Sequence, residues 1–147
     1  MSTYSFLDNN CAIVGPGGSV NLAAGAGAAD EGITISPSEA INTMAVGADG
    51  TPMHSLHANK SGKATVTLLK TSPVNQQLAQ MYAFQTSAGA NHGQNTISLA
   101  NSLTGDTVTC QIVAFAKAPE LKYAKEAGNN VWEFDCGIID RTLGIGA

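Results

Sequence analysis

Trp132-Glu133-Phe134-Asp135-Cys136-Gly137-Ile138 is the most regular two-residue alternation in the chain. Trp132, Phe134, Cys136 and Ile138 alternate with Glu133, Asp135 and Gly137. Successive side chains of an extended chain point to opposite sides, so a period of two marks a strand with one buried face. The apolar set faces a core, and Glu133 and Asp135 share the other face. Gly128, Asn129 and Asn130, just ahead, are a turn signal.

Upstream of it, Thr107 to Ala118 is a long second strand closed by Pro119. Its apolar pattern changes phase between Ile112 and Phe115, which predicts a bulge or burial on both faces. A turn through Thr104, Gly105 and Asp106 joins it to a strand at Thr96 to Leu99. Ala64 to Leu69 is another strand, with Val66 and Leu68 on one side and Thr65, Thr67 and Leu69 on the other. Near the start, Cys11 to Val14 and Val20 to Leu22 flank Gly15-Pro16-Gly17-Gly18 and predict a hairpin, because glycine supplies positive φ and proline fixes its own. Ala23 to Ala29 specifies little by itself. Ile33 to Ser36 and Met44 to Val46 read as strands, the first ending at Pro37. Gly47 to Ser61 is poor in β-branched residues and reads as a long exposed loop.

One helix interrupts this pattern. Ser72 suits an N-cap and Pro73 a first helical position. Val74, Leu78, Met81 and Tyr82 then form an apolar stripe at helical spacing, continued by Gln85, and the stripe is expected to pack on the sheet. The sum is mainly β: an antiparallel β-sandwich or barrel with one packed α-helix, in a single domain spanning residues 1–147.

Composition bounds the function. Charged residues are 12% of the 147-residue chain and aromatics 5%, against about a quarter charged in an average soluble domain. Few charges protect a surface poorly against self-association, and few aromatics leave few anchors for a private core. A subunit that spends its surface on neighbours needs neither. The net charge of −4 argues against a phosphate-clamping surface. The amino terminus lacks a signal-peptide pattern, and no apolar stretch approaches the ~20 residues that span a membrane. Cys11, Cys110 and Cys136 are widely spaced and odd in number, and read as small buried hydrophobes.

Chemistry-bearing motifs are weak. His54 and His57 form an H-x-x-H pair, with His92 far away and no third close ligand. Ser61-Gly62-Lys63 ends like a phosphate loop, but His57 stands where the first glycine should be and Ala64 replaces the magnesium-binding hydroxyl. Asn59-Lys60-Ser61 matches a glycosylation acceptor without a secretory context. No catalytic residue, metal site or cofactor is assigned. A small ligand- or carbohydrate-binding barrel or sandwich is the alternative class, and it would need an aromatic-lined pocket.

Stretches along nearly the whole chain carry a family likeness: Ser2 to Asp8, Ile13 to Gly18, Glu31 to Ser36, Asn42 to Met44, Gly47 to Gly50, Met53 to His57, Lys60 to Gly62, Leu69 to Asn75, His92 to Ile97, Val113 to Phe115 and Asp140 to Gly144. In these the chain resembles the tail tube proteins of contractile-tailed bacteriophages. The resemblance implies a structural subunit that forms stacked hexameric rings. Their sheets join into one barrel around a channel that conducts DNA during ejection. It implies contacts with itself, the tail sheath, the baseplate and the tail terminator, no membrane, a place in the virion tail, and assembly in the host bacterial cytoplasm. It makes Asp49, Met53, His54, Leu56, His57 and Lys60 candidates for contact with the next ring. It makes Glu133 and Asp135 candidates for lining the lumen.

Overall fold

The structure, a computed structural model, describes residues 4, 9–22, 28–101, 104–121, 123–126 and 128–144. Residues 23–27 of the Ala/Gly run lie outside them. In chain order the elements are β1 (Asn9–Gly15), β2 (Gly18–Asn21), β3 (Ala28–Pro37), β4 (Asn42–Val46), β5 (Pro52–Leu56), β6 (Gly62–Leu69), α1 (Val74–Thr86), β7 (Asn95–Asn101), β8 (Thr107–Lys117) and β9 (Asn129–Thr142). Seven strands form one antiparallel sheet in the order β2-β1-β7-β8-β9-β6-β3, and β4 pairs only with β5. The sheet is sandwich-like. It closes no barrel within the described chain, because β2 and β3 stand at its two edges.

The alternation at Trp132–Ile138 becomes the middle of β9, between β8 and β6. Trp132, Phe134 and Cys136 are buried there. Against them lie Ala64, Val66 and Leu68 of β6, Ile13 of β1, Ile97 of β7, and Val74, Leu78 and Met81 of α1, with Tyr82 partly buried at the margin. Each large apolar side chain so enclosed contributes about 1.5–3 kcal/mol relative to exposure. Phe115 centres the aromatic part, with ring centroids 5.6 Å from Tyr82, 5.9 Å from Trp132 and 4.9 Å from Phe134. The Trp132 indole N–H donates to Asn75 Oδ1 at 3.1 Å, so α1 is tied to β9 by a polar bond as well as by packing.

The helix starts one residue later than its sequence signals suggest. Pro73 is the N-cap, and Ser72 Oγ accepts the Val74 N–H at 3.3 Å. The predicted hairpin forms with Gly15 opposite Gly18, turning through Pro16 and Gly17, whose φ is +98°.

The phase change in β8 is a bulge. Asn95 of β7 pairs with Val113 and Ile97 with Cys110, so Thr96 alone faces Gln111 and Ile112. The extra residue lets Cys110, Val113 and Phe115 all reach the core. Ile112 takes the strain, at φ +55° with an exposed side chain lying beside Gly137, where no Cβ competes for the space. A β-branched residue in left-handed backbone costs about 1–3 kcal/mol. Ile112→Gly removes that clash, partly offset by glycine's greater unfolded-state entropy of about 0.5–1 kcal/mol. The expected result is a rise in the isolated subunit's Tm by roughly 2–4 °C, read by calorimetry. A fall would show that this backbone is unstrained.

Candidate assembly surface

The loop expected over Gly47–Ser61 is replaced by half of a hairpin. Pro52–Leu56 is a strand, with Asn42 opposite Leu56, Met44 opposite His54 and Val46 opposite Pro52. Every residue of both strands is exposed. That explains the misreading: a ribbon buried on neither face has no reason to alternate apolar and polar residues, so the period-two signal is missing.

The register sorts the arm's side chains. Met44, Val46 and Leu56 share one face, and Ala45 and Met53 the other. Leu56 is 82% exposed and Met53 62%. At the tip, Gly47 N–H donates to Thr51 O at 2.9 Å and Thr51 N–H to Asp49 Oδ1 at 3.1 Å. The Thr51 N–H holds the Asp49 carboxyl below its usual range. Asp49 therefore shapes the turn.

Both arm histidines are engaged with β4. His54 Nδ1 lies 3.3 Å from Asn42 Nδ2, and His57 Nε2 lies 2.6 Å from Thr43 Oγ1. Among the described residues no group of three His, Cys, Asp or Glu side chains is placed to hold a metal. The arm's base is a hydrogen-bonded knot. Asn59 Nδ2 donates to Glu39 Oε1 at 3.0 Å, Asn59 Oδ1 accepts Ser61 N–H at 2.9 Å, and Ser38 N–H donates to Ser61 O at 3.0 Å. Lys60 O accepts Ile139 N–H at 2.9 Å, joining the base to β9. The arm is thus a stiff projection with exposed apolar side chains.

Glu133 and Asp135 lie on the outward face of the sheet, since Trp132, Phe134 and Cys136 occupy the core face. Sequence reading missed what stands beside them. Lys63 of β6 is directly opposite Asp135, and Lys117 of β8 directly opposite Glu133. The pairing partner of a strand cannot be read from local sequence, so nothing there pointed to the lysines.

Two larger clefts differ in lining, the first mostly apolar through Pro37, Ala40, Ile41 and Ile139 with charges at its rim, the second mostly polar. The first, of about 460 Å³, includes Glu39, Lys60, Asp140 and Arg141, and the second, of about 450 Å³, includes Lys117, Glu120 and Glu133. Cys11, Cys110 and Cys136 are buried free thiols. Burial, with Cys110 beside it, pushes the Cys11 thiol up to about 12, and a hydrogen bond with Cys110 raises that of Cys136. Both remain neutral, as small hydrophobes would. Among the described residues no helix is long and apolar enough to cross a membrane.

Within the described residues the chain thus exposes an apolar arm, and its sheet ends at β2 and β3. The family model of the bacteriophage PhiTE tail tube protein matches residues 1–144. The chain belongs to that family. Its role is accordingly structural, as a component of a phage tail tube. No curated protein matches the sequence. Two cryo-EM structures share the fold at 9% identity each. One is the tube-terminating cap of the anti-feeding prophage, with a TM-score of 0.57 over 98% of this chain and 93% of that one. The other comes from the sheath–tube complex of an extracellular contractile injection system, PVC, in its extended state, with a TM-score of 0.53 over 90% of this chain and 88% of that one.

Proposed function

We propose that this tube protein is the repeating subunit of a channel. Copies associate side by side into hexameric rings, rings stack into a cylinder, and DNA passes through the lumen during ejection. The observation that carries the reading is the β4–β5 arm, whose ten residues are all exposed and include Met44, Val46, Met53 and Leu56. Exposed apolar side chains gathered on one projection mark a surface that a partner covers. The arm reaches the neighbouring ring, with Asp49 at its tip, His54 and His57 stiffening it and Lys60 at its base. Within a ring, β2 of one copy faces β3 of the next. This removes the unpaired backbone that makes open edges a hazard for a lone subunit. The outward face bearing Glu133 and Asp135 lines the channel. Sheath, baseplate and tail-terminator proteins are the further partners, and assembly takes place in the host bacterial cytoplasm.

The alternative, a small ligand- or carbohydrate-binding module, finds little support. Phe115, Trp132 and Phe134 pack on one another in the core, and an apolar cleft lined by Tyr82, Leu121 and Trp132 holds only about 200 Å³, below the ~300 Å³ at which ligand pockets begin. Negative-stain electron microscopy of the purified protein over a concentration series tests the proposal. Rings with six-fold class averages and hollow cylinders are expected. A monomer that stays monodisperse at high concentration, and still does so with baseplate components added, would overturn it.

A further inference from the structure

The outward face of the sheet is unlike a repelling wall. Its strands present small hydroxyl residues such as Thr65, Thr96, Ser98 and Thr109 beside the exposed apolar Val14 and Val131, and two of its carboxylates stand opposite lysines. Asp135 has Lys63 across one strand boundary and Ala114 across the other. Glu133 has Lys117 on one side and Thr65 on the other. The one further carboxylate that the register puts on this face in β9, Asp140, stands at the strand's far end opposite Thr109. Directly opposed residues have Cβ atoms about 4.5–5.5 Å apart. Side chains rooted that close keep each carboxylate within about one screening length (~8–10 Å at physiological salt) of the facing ammonium, so a phosphate passing above meets each lysine's field partly cancelled. Exposed pairs of this kind add little to folding stability, which leaves their effect on the potential as their main consequence.

We infer that Glu133 and Asp135 serve as counter-charges that mask Lys63 and Lys117, giving a wall with no uncompensated lysine along which a polyanion does not stick. The inference rests on the reading of this face as the channel wall. Each unmasked lysine would add nearly one released counterion per phosphate contact. Repeated in every subunit, two such lysines turn a passage into a trap.

The test uses tubes of the wild type, E133Q/D135N, K63Q/K117Q and the quadruple variant, co-sedimented with a fluorescent 20-base-pair DNA duplex. Wild-type tubes are expected to retain none. E133Q/D135N tubes should retain it at 50 mM salt and lose about 10-fold between 50 and 200 mM, the drop expected for two phosphate contacts. Adding K63Q/K117Q should abolish retention. Should E133Q/D135N fail to form tubes, heparin-column elution of the unassembled subunit gives the same reading, with elution at higher salt than the wild type. E133Q/D135N no more adhesive than the wild type in either format would overturn the masking role. Placement is read separately. Thr65→Cys, biotinylated before assembly, should be hidden from streptavidin in finished tubes. Decorated tubes would overturn the channel placement even if the charge variants behave as stated.

Discussion

Tubes should fail to form when Met44 and Leu56 are both replaced by aspartate, while the subunit itself stays folded. The two side chains share one face of the β4–β5 arm and lie outside the core, being 57% and 82% exposed. Surface substitutions of this kind usually change stability by under about 0.5 kcal/mol, so the subunit's Tm should stay within about 2 °C. In the proposed tube the same residues are buried at a contact between copies. Losing two apolar side chains there forfeits at least ~3 kcal/mol per contact, and desolvating two new carboxylates adds to the penalty. At 1.4 kcal/mol per tenfold, the concentration needed for assembly rises by ~100-fold or more. Sedimentation velocity and thermal unfolding on the same samples separate the two effects. Met44→Leu with Leu56→Met keeps the volume and the apolar character and should assemble. Tubes formed by the double aspartate variant at wild-type concentrations would remove the arm from the interface.

How much of this was legible before the fold was known depended on whether one face of an element is buried. β9 was plain because Trp132, Phe134 and Cys136 face the core while Glu133 and Asp135 do not. The β1–β2 turn was plain because Pro16 and Gly17 restrict the backbone at the residues concerned. The β8 bulge showed as a lost phase, since an extra residue shifts every later side chain to the other face. β5 was invisible for the opposite reason, with both faces of its ribbon exposed. Strand order was also out of reach. β6 is followed by α1 and then β7, yet β6 pairs with β9 and β7 with β1, pairings set by contacts far apart in sequence. The lysines opposite Glu133 and Asp135 were missed on the same account. Gln85 did leave a trace, as an amide continuing the stripe of Leu78, Met81 and Tyr82, but nothing in the sequence names its partner.

That partner is Asn95, and breaking the pair should cost the isolated subunit more than any surface change. Both side chains are fully enclosed. Gln85 Nε2 donates to Asn95 Oδ1 at 2.7 Å and to Pro16 O at 2.8 Å, and Asn95 Nδ2 donates back to Gln85 Oε1 at 2.6 Å. One amide pair therefore fastens the end of α1, the start of β7 and the β1–β2 turn. Gly15 leaves room for it, since a Cβ there would overlap Asn95 Oδ1. In Asn95→Leu, Gln85 Nε2 keeps its bond to Pro16 O but loses its second acceptor, and Gln85 Oε1 loses its donor, in a dry site where each orphaned polar atom costs about 1–3 kcal/mol. The expected loss is roughly 3 kcal/mol, a large share of the ~5–15 kcal/mol that holds a domain together. Gln85→Leu strands Asn95 and Pro16 O in the same way. Because the two singles damage one network, Gln85→Leu with Asn95→Leu should be less destabilised than their sum by about 1–3 kcal/mol. Urea unfolding of the four proteins closes that cycle. Strict additivity would mean the two amides act independently. The coupling also bears on assembly, because the turn fixed by Pro16 O positions β2, the edge strand that is proposed to meet the next copy. An Asn95→Leu subunit should therefore assemble poorly even at temperatures where most of its core survives.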